Sequence, residues 1–374
     1  MTAAAPPTDQ ALTAPYDALL LCSFGGPNGP DDVMPFLRNV TRGRGSPEDR
    51  LAEVAQHYDH FGGRSPINEQ NLALVAALRA ELDRRGLALP VIWGNRNWPP
   101  YSVDALRDAA AFGVRRILVL VTSAYASYSG SRQYREHLAA ALAELGSIGD
   151  RLQLDVIRPF FNDPGFVHGN LEAVLEAAAA LDGSDRIHLA FVTHSIPETM
   201  QRASAATGPG YAQQHEDVRD VITAVVVSQV SAPVTSSLSY CSRSGDPRTP
   251  WLEPDIADRL AELAAAGERS VIIAPIGFIS DHLEVAFDLD VEAMEAAEQL
   301  GIRVVRAGTV GTRPAFVRGL VDLVLERAAR ERGEAPPSPT VGALPPLPDE
   351  APPGSCRARD GVVTGVPVLA GGVD

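Results

Sequence analysis

The sequence predicts an α/β protein of two similar halves, each a parallel sheet covered by helices on both faces, with a cleft between them. Three observations carry this. Short β-branched apolar runs alternate with longer stretches of helical periodicity along most of the chain. The alternation runs through twice, with a boundary near residue 160. And 374 residues, 45% apolar and 21% charged, suffice for two ordinary globular domains.

In chain order, Leu19 to Ser23, Val91 to Trp93, Ile117 to Val121 and Leu154 to Ile157 read as strands of the first half. Helices are predicted at about 31–38, 47–60, 67–85, 102–112 and 131–145. In the second half the strands are Ile187 to Thr193, Val234 to Ser239, Ser270 to Ile276 and Arg303 to Ala307. Its helices fall near 163–181, 211–228, 254–266, 281–299 and 313–332. The organisation is a loose N-terminus over 1–15, a first domain over 16–160, and a second over 161–333 that includes the last helix. Residues 334–374 carry Pro336, Pro337, Pro339, Pro345, Pro346, Pro348, Pro352 and Pro353. Proline at that density propagates neither helix nor sheet ladder, so a flexible tail is expected.

Composition excludes several partners. The formal net charge of −15 repels nucleic acid and anionic membranes, so an anionic ligand needs a local basic patch. Cys22, Cys241 and Cys356 form no CxxC pair, which fits a reducing compartment. The N-terminus lacks a signal-peptide pattern, and no apolar run reaches the ~20 residues of a transmembrane helix. A cytoplasmic protein is expected.

Two segments about ninety positions apart hold the chemistry. Phe191 to Pro197 and Gly277 to Glu284 each carry an imidazole or carboxylate where a buried strand opens, the edge at which α/β sheets bind ligands. His194 is read two ways: a structural ring bonded to nearby backbone, or a neutral imidazole that accepts protons or ligates a metal. His57, His60, His137, His168 and His215 sit in polar settings and are expected to be mostly solvated. Ser280 reads as an N-cap, and Glu284, Asp288 and Glu292 recur at i, i+4 and i+8, flanked by Asp281 and Glu295. A solvated acidic face is the ordinary explanation. Against it, like charges at this spacing disfavour a helix and no Lys or Arg lies between Asp281 and Gln299. A row of oxygen ligands for a cation is the other reading.

Arg38, Arg42, Arg44 and Arg50 make one basic segment in an acidic chain, suited to carboxylate or phosphate or else solubilising. Phe24 to Pro30 is glycine-rich but not GxGxxG, which argues against dinucleotide binding. Tyr125, Tyr128 and Tyr134 line a flat apolar ligand or pack as core. Cys22 and Cys241 read as small buried hydrophobes.

Together these residues resemble the ferrochelatase family, of the coproporphyrin III type found in Gram-positive lineages, over roughly 16–332. The likeness rests on Phe24-Gly25-Gly26-Pro27, Arg42-Gly43-Arg44, Gly62 to Asn68, Thr193 to Pro197, Pro250 to Asp255 and Pro275 to Glu284. It implies two Rossmann-like, chelatase-type domains holding a tetrapyrrole between them, the last helix packing back on the first. The implied reaction inserts Fe²⁺ into coproporphyrin III to give Fe-coproporphyrin III in haem biosynthesis. His194 matches the essential histidine, Glu284 its partner carboxylate, and Asp288 and Glu292 the acidic row behind them, all four being candidate metal contacts. Ser65 and Tyr134 align with porphyrin contacts, and Arg42 and Arg44 with the segment near the propionates. Phe24 stands where some relatives place an axial tyrosine, Cys241 where some have tryptophan and Thr41 where some have arginine. Some high-GC relatives carry a [2Fe–2S] cluster on four cysteines; with three, none is expected here. The resemblance leaves room for a transient partner that receives the product. Two alternatives remain at this point: a non-catalytic tetrapyrrole or metal carrier, and a chelatase for another metal or porphyrin.

Overall fold

The computed structural model describes residues 9–42, 47–244, 248–358 and 365–369. Among the described residues, eight strands fall where the apolar runs predict. The first sheet is built from β1 (Ala18–Ser23), β2 (Val91–Asn95), β3 (Arg116–Val121) and β4 (Gln153–Val156), in the order β2-β1-β3-β4. The second is built from β5 (Ile187–His194), β6 (Val234–Cys241), β7 (Ser270–Ala274) and β8 (Arg303–Arg306), in the order β6-β5-β7-β8. Every pairing is parallel. β1 is buried at all six positions, which explains an unbroken apolar run in place of alternation.

In each sheet the chain winds first to one side and then to the other, so a switch point lies between β1 and β3 and another between β5 and β7. Ligand-binding crevices open at such points, beyond the carboxyl ends of the strands. One apolar cluster runs through both halves, from Leu19, Leu78 and Leu118 to Phe166, Phe191, Ile222 and Leu320.

The last helix, Pro314–Glu331, closes the molecule. It crosses helix Pro164–Ala179 where a Cβ on Gly165 would stand 2.6 Å from the Ala315 carbonyl and one on Gly319 would stand 2.5 Å from Asp163 Oδ1. That approach needs glycine on both sides. The same Asp163 caps its helix, accepting from the N–H groups of Gly165 and Phe166 at 2.8 and 3.2 Å. Across to the first half, Arg85 pairs with Asp322 and Arg116 with Glu331, while Arg158 and Glu326 form a deeply buried pair at 2.8 Å.

Three expectations need correction. Residues 334–358 do not behave as a free tail: Val341, Leu344 and Leu347 pack on the core, Asn162 donates to the Leu344 and Pro345 carbonyls, and Asp349 pairs with Arg330. Proline forbids ladders, but it leaves carbonyls and side chains free to dock a polyproline-like strap. At the other end, Asp9–Thr13 is a short helix against the last one, and Arg332 donates to the Leu12 and Ala14 carbonyls, so 9–15 are tied down. Finally, the helix expected from 281 begins at Leu283 with His282 as its cap, and Ser280 is buried before it. It widens into a π turn over Asp288–Glu292 before resuming over Ala293–Leu300. An unpredicted helix, Glu198–Ser204, follows the His194 segment. Among the described residues no helix is long and apolar enough to cross a membrane.

Candidate active site

The two chemistry-bearing segments leave the neighbouring strands β5 and β7, at the switch point of the second sheet. Leu189 to Thr193 are fully buried and deliver His194 at the strand's last position. The chain leaving β7 passes so close that Gly277 donates its N–H to the Val192 carbonyl at 3.2 Å, and a Cβ there would lie 2.1 Å from Thr193 Oγ1. Only glycine permits the crossing. It brings the start of helix Leu283–Phe287 beside His194.

The result is an imidazole facing a carboxylate: His194 Nε2 lies 3.6 Å from Glu284 Oε2, an ion-pair separation. The other ring nitrogen, Nδ1, is 2.5 Å from the Ser195 carbonyl, which can only accept, so Nδ1 carries a proton. A carboxylate facing Nε2 then favours the doubly protonated ring. Burial alone would lower the His194 pKa, but Glu284, the Ser195 carbonyl and the charge of Asp288 raise it above the ordinary histidine value. Burial works against the ionised form of Glu284, yet His194, His282 and His57 outweigh it and hold the carboxyl near about 2. Protein crowds both groups, although 33% and 48% of their side-chain surfaces stay accessible, as on the wall of a recess. Tyr211 buttresses this strand end from below, its hydroxyl donating to the His194 carbonyl at 3.0 Å and lying 2.6 Å from Thr193 Oγ1.

Asp288 follows Glu284 along the helix and accepts from Ser242. Burial pushes its carboxyl up to about 7, Ser242 and His194 offset part of that, and Glu284 and Glu292 add to it. Glu292 lies farther out, exposed, with Asp255 and Glu295 as its charged neighbours. Among the described residues no three His, Cys, Asp or Glu side chains form a ready metal cage.

The first half meets this helix directly. Leu283 is buried in a cluster with Phe36, Tyr58 and half-buried Phe24, which places Phe24 one apolar cluster away from Glu284. Behind Phe24, the Arg96 guanidinium lies 5.0 Å from its ring and 4.9 Å from that of Tyr134. Tyr134 and Ser65 are each only 4% exposed, so both sit under the surface here, Ser65 against Gly26. Arg42 is exposed beyond helix Pro30–Val40, and Arg44 lies outside the described residues. A groove of about 360 Å³ between that helix and Glu48–Asp59 contains none of these site residues.

Several residues near the site carried no clear signal in the sequence. His57, expected in solvent, stacks on Phe287 with ring centroids 3.9 Å apart, and His60 meets the same ring edge-on. His215, also expected in solvent, is fully buried against Tyr125. His137 bonds Ser102 at 2.5 Å. His57 lies in the last turn of helix Glu48–Asp59 and His60 caps its C-terminus, an i, i+3 spacing that could have flagged them; Tyr211 lies in no motif.

Known proteins place this architecture in two steps. The fold is shared with SirB from Bacillus subtilis with Fe³⁺, which superposes with a TM-score of 0.51 at 11% identity, over 84% of this chain and 97% of that one. At sequence level, the Ferrochelatase family profile matches residues 16–328. A protein of Streptomyces griseus named coproporphyrin III ferrochelatase is 53% identical over 92% of this chain and 94% of its own. One so named from Leifsonia xyli is 49% identical over 95% of each, and a Rhodopirellula baltica protein named ferrochelatase is 45% identical over 95% and 98%. The chain belongs to the ferrochelatase family.

Proposed function

We propose that this protein inserts Fe²⁺ into coproporphyrin III, releasing two protons and Fe-coproporphyrin III, as a step of haem biosynthesis. The observation that carries the reading is the His194–Glu284 pair, 3.6 Å apart and partly open at the switch point of the second sheet. Relatives from two of the genera compared bear that substrate in their names.

Metallation asks the protein to displace water from iron and to receive two pyrrole protons. A ligand imidazole must be deprotonated, so iron approaching His194 competes with the proton that Glu284 retains there. Once free, the same nitrogen contacts the metal or takes a pyrrole proton, and Glu284 neutralises the charge that develops. Asp288, with a carboxyl near about 7, can take up and release a proton at neutral pH and so connects the pair to Glu292 and solvent. Phe24 offers no ligating atom, so it cannot supply the axial contact that tyrosine would give at this position. Arg42 and Arg44 answer the propionates. Tyr134 and Ser65 act from beneath the first-half wall. Iron is a substrate in this reading. An all-cysteine [2Fe–2S] cluster has no part in it, because three cysteines cannot supply four thiolates from one chain.

Anaerobic mixing with Fe²⁺ and coproporphyrin III tests the proposal. Multiple turnovers, with a two-propionate porphyrin much slower, are the expected result. A Soret shift without turnover identifies a carrier. Faster insertion of Co²⁺ or Zn²⁺, or preference for the two-propionate substrate, identifies a different chelatase.

A further inference from the structure

If Glu284 works at the centre of a bound macrocycle, its distance from the first-half wall must be held, and one turn of helix Ile67–Arg84 touches both sides. At its start Asn68 donates to the Gly26 carbonyl at 2.7 Å and to Asn28 Oδ1 at 2.9 Å, fixing the loop after β1. Two residues on, Gln70 reaches into the other half. The Asp281 N–H donates to Gln70 Oε1 at 2.7 Å, and Gln70 Nε2 donates to Asp281 Oδ2 at 3.3 Å. The second Asp281 oxygen accepts from Arg306 at the end of β8, whose guanidinium also lies 3.3 Å from Asp290. Asp281 precedes His282, the cap of the helix that carries Glu284.

We infer that Gln70 is a positioning residue, a strut between the halves that sets Glu284 against the first-half wall of the cleft. This rests on the reading of His194 and Glu284 as the insertion site. The loop presents a backbone donor and a carboxylate acceptor side by side. A carboxamide, with an acceptor and donors at one end, answers both; a carboxylate or an ammonium answers one. Arg306 ties Asp281 to its own sheet. Gln70 ties it to the other, so without Gln70 the loop follows the second half alone. A misplacement near 1 Å costs catalysis far more than binding.

The test measures kcat, KM for coproporphyrin III and thermal midpoint in the full chain, for Gln70→Ala, Gln70→Glu, Asp281→Asn and the double variant Gln70→Glu/Asp281→Asn. Gln70→Glu sets a carboxylate against the Asp281 carboxylate. Its kcat is expected to fall by about ten- to a hundred-fold, with porphyrin KM within about two-fold of wild type. In the double variant the donor and acceptor exchange places: the new amide at position 281 donates to the new carboxylate at position 70. Most of the lost kcat should return. Gln70→Ala should lose kcat, and the further double variant Gln70→Ala/Asp281→Asn should regain none of it. Purely structural damage would lower the thermal midpoint and show no such exchange. Wild-type kcat in Gln70→Ala and Gln70→Glu overturns the inference, as does a Gln70→Glu loss that Asp281→Asn fails to recover. A wild-type chain that inserts no iron overturns the functional reading, and the inference with it.

Discussion

His194 is pulled two ways: burial favours the neutral ring, and Glu284 favours the charged one and prevails. Its folded pKa therefore lies above the ordinary ~6.5. Iron needs the lone pair, so kcat/KM for Fe²⁺ should rise with pH through that raised value, placing the acid limb above pH ~6.5. Glu284→Gln removes the charge that raises it. The limb should then move to lower pH while the rate falls by about 10²- to 10⁴-fold, measured as a pH–rate profile of both proteins. A limb that stays in place would separate Glu284 from the titration. At this scale the sequence was legible where motif and strand end coincide, at His194 and Glu284. It was not legible for His57, His215 or Gln70, whose surroundings come from residues far away in the chain.

The strands were legible because a doubly covered parallel sheet demands unbroken apolar runs. The helix bearing Glu284 was legible only in outline. Its start depends on the Gly277 crossing and the Gln70 contact, and the π turn at Asp288–Glu292 follows no propensity rule. Gly277→Ala tests the crossing. The added methyl collides with Thr193, so activity should fall and stability should drop by roughly 1–3 kcal/mol in urea unfolding, the usual cost of overpacking. Two histidines set a second test. Burial lowers His188 to about 4, against the raising charge of Glu268 and with that of Arg259, and burial lowers His215 to about 3 despite its bond to the Tyr211 carbonyl. Below pH ~6.5 the unfolded chain binds protons at these positions that the native chain does not, so their contribution is complete above ~6.5 and is lost as pH falls toward 4 and 3. The unfolding free energy should decline by up to roughly 1.4 kcal/mol per pH unit for each. His215→Gln should flatten that slope between pH 6 and 5 if the assignment is right.

At the scale of the whole molecule, the flanking segments 9–15 and 334–358 are fastened to the last helix, and the proline-rich strap binds over the junction of the halves through Asn162, Arg158 and Arg330. Composition was a poor guide because it reports what a segment cannot form with itself, and docking uses the partner's groups. Ending the chain after Gly333 should lower the thermal midpoint by roughly 5–10 °C, since it exposes the surface under Val341, Leu344 and Leu347 and strips partners from those polar groups. An unchanged midpoint would make the strap ornamental. Under the proposed function, the architecture presents one acid–imidazole pair, His194 and Glu284, to a macrocycle. The most direct measurement is anaerobic single-turnover iron insertion into bound coproporphyrin III, comparing wild type with His194→Ala and with porphyrin affinity measured alongside. The account predicts near-native affinity and insertion at least about 10²-fold slower in the variant. Insertion at the wild-type rate would contradict it.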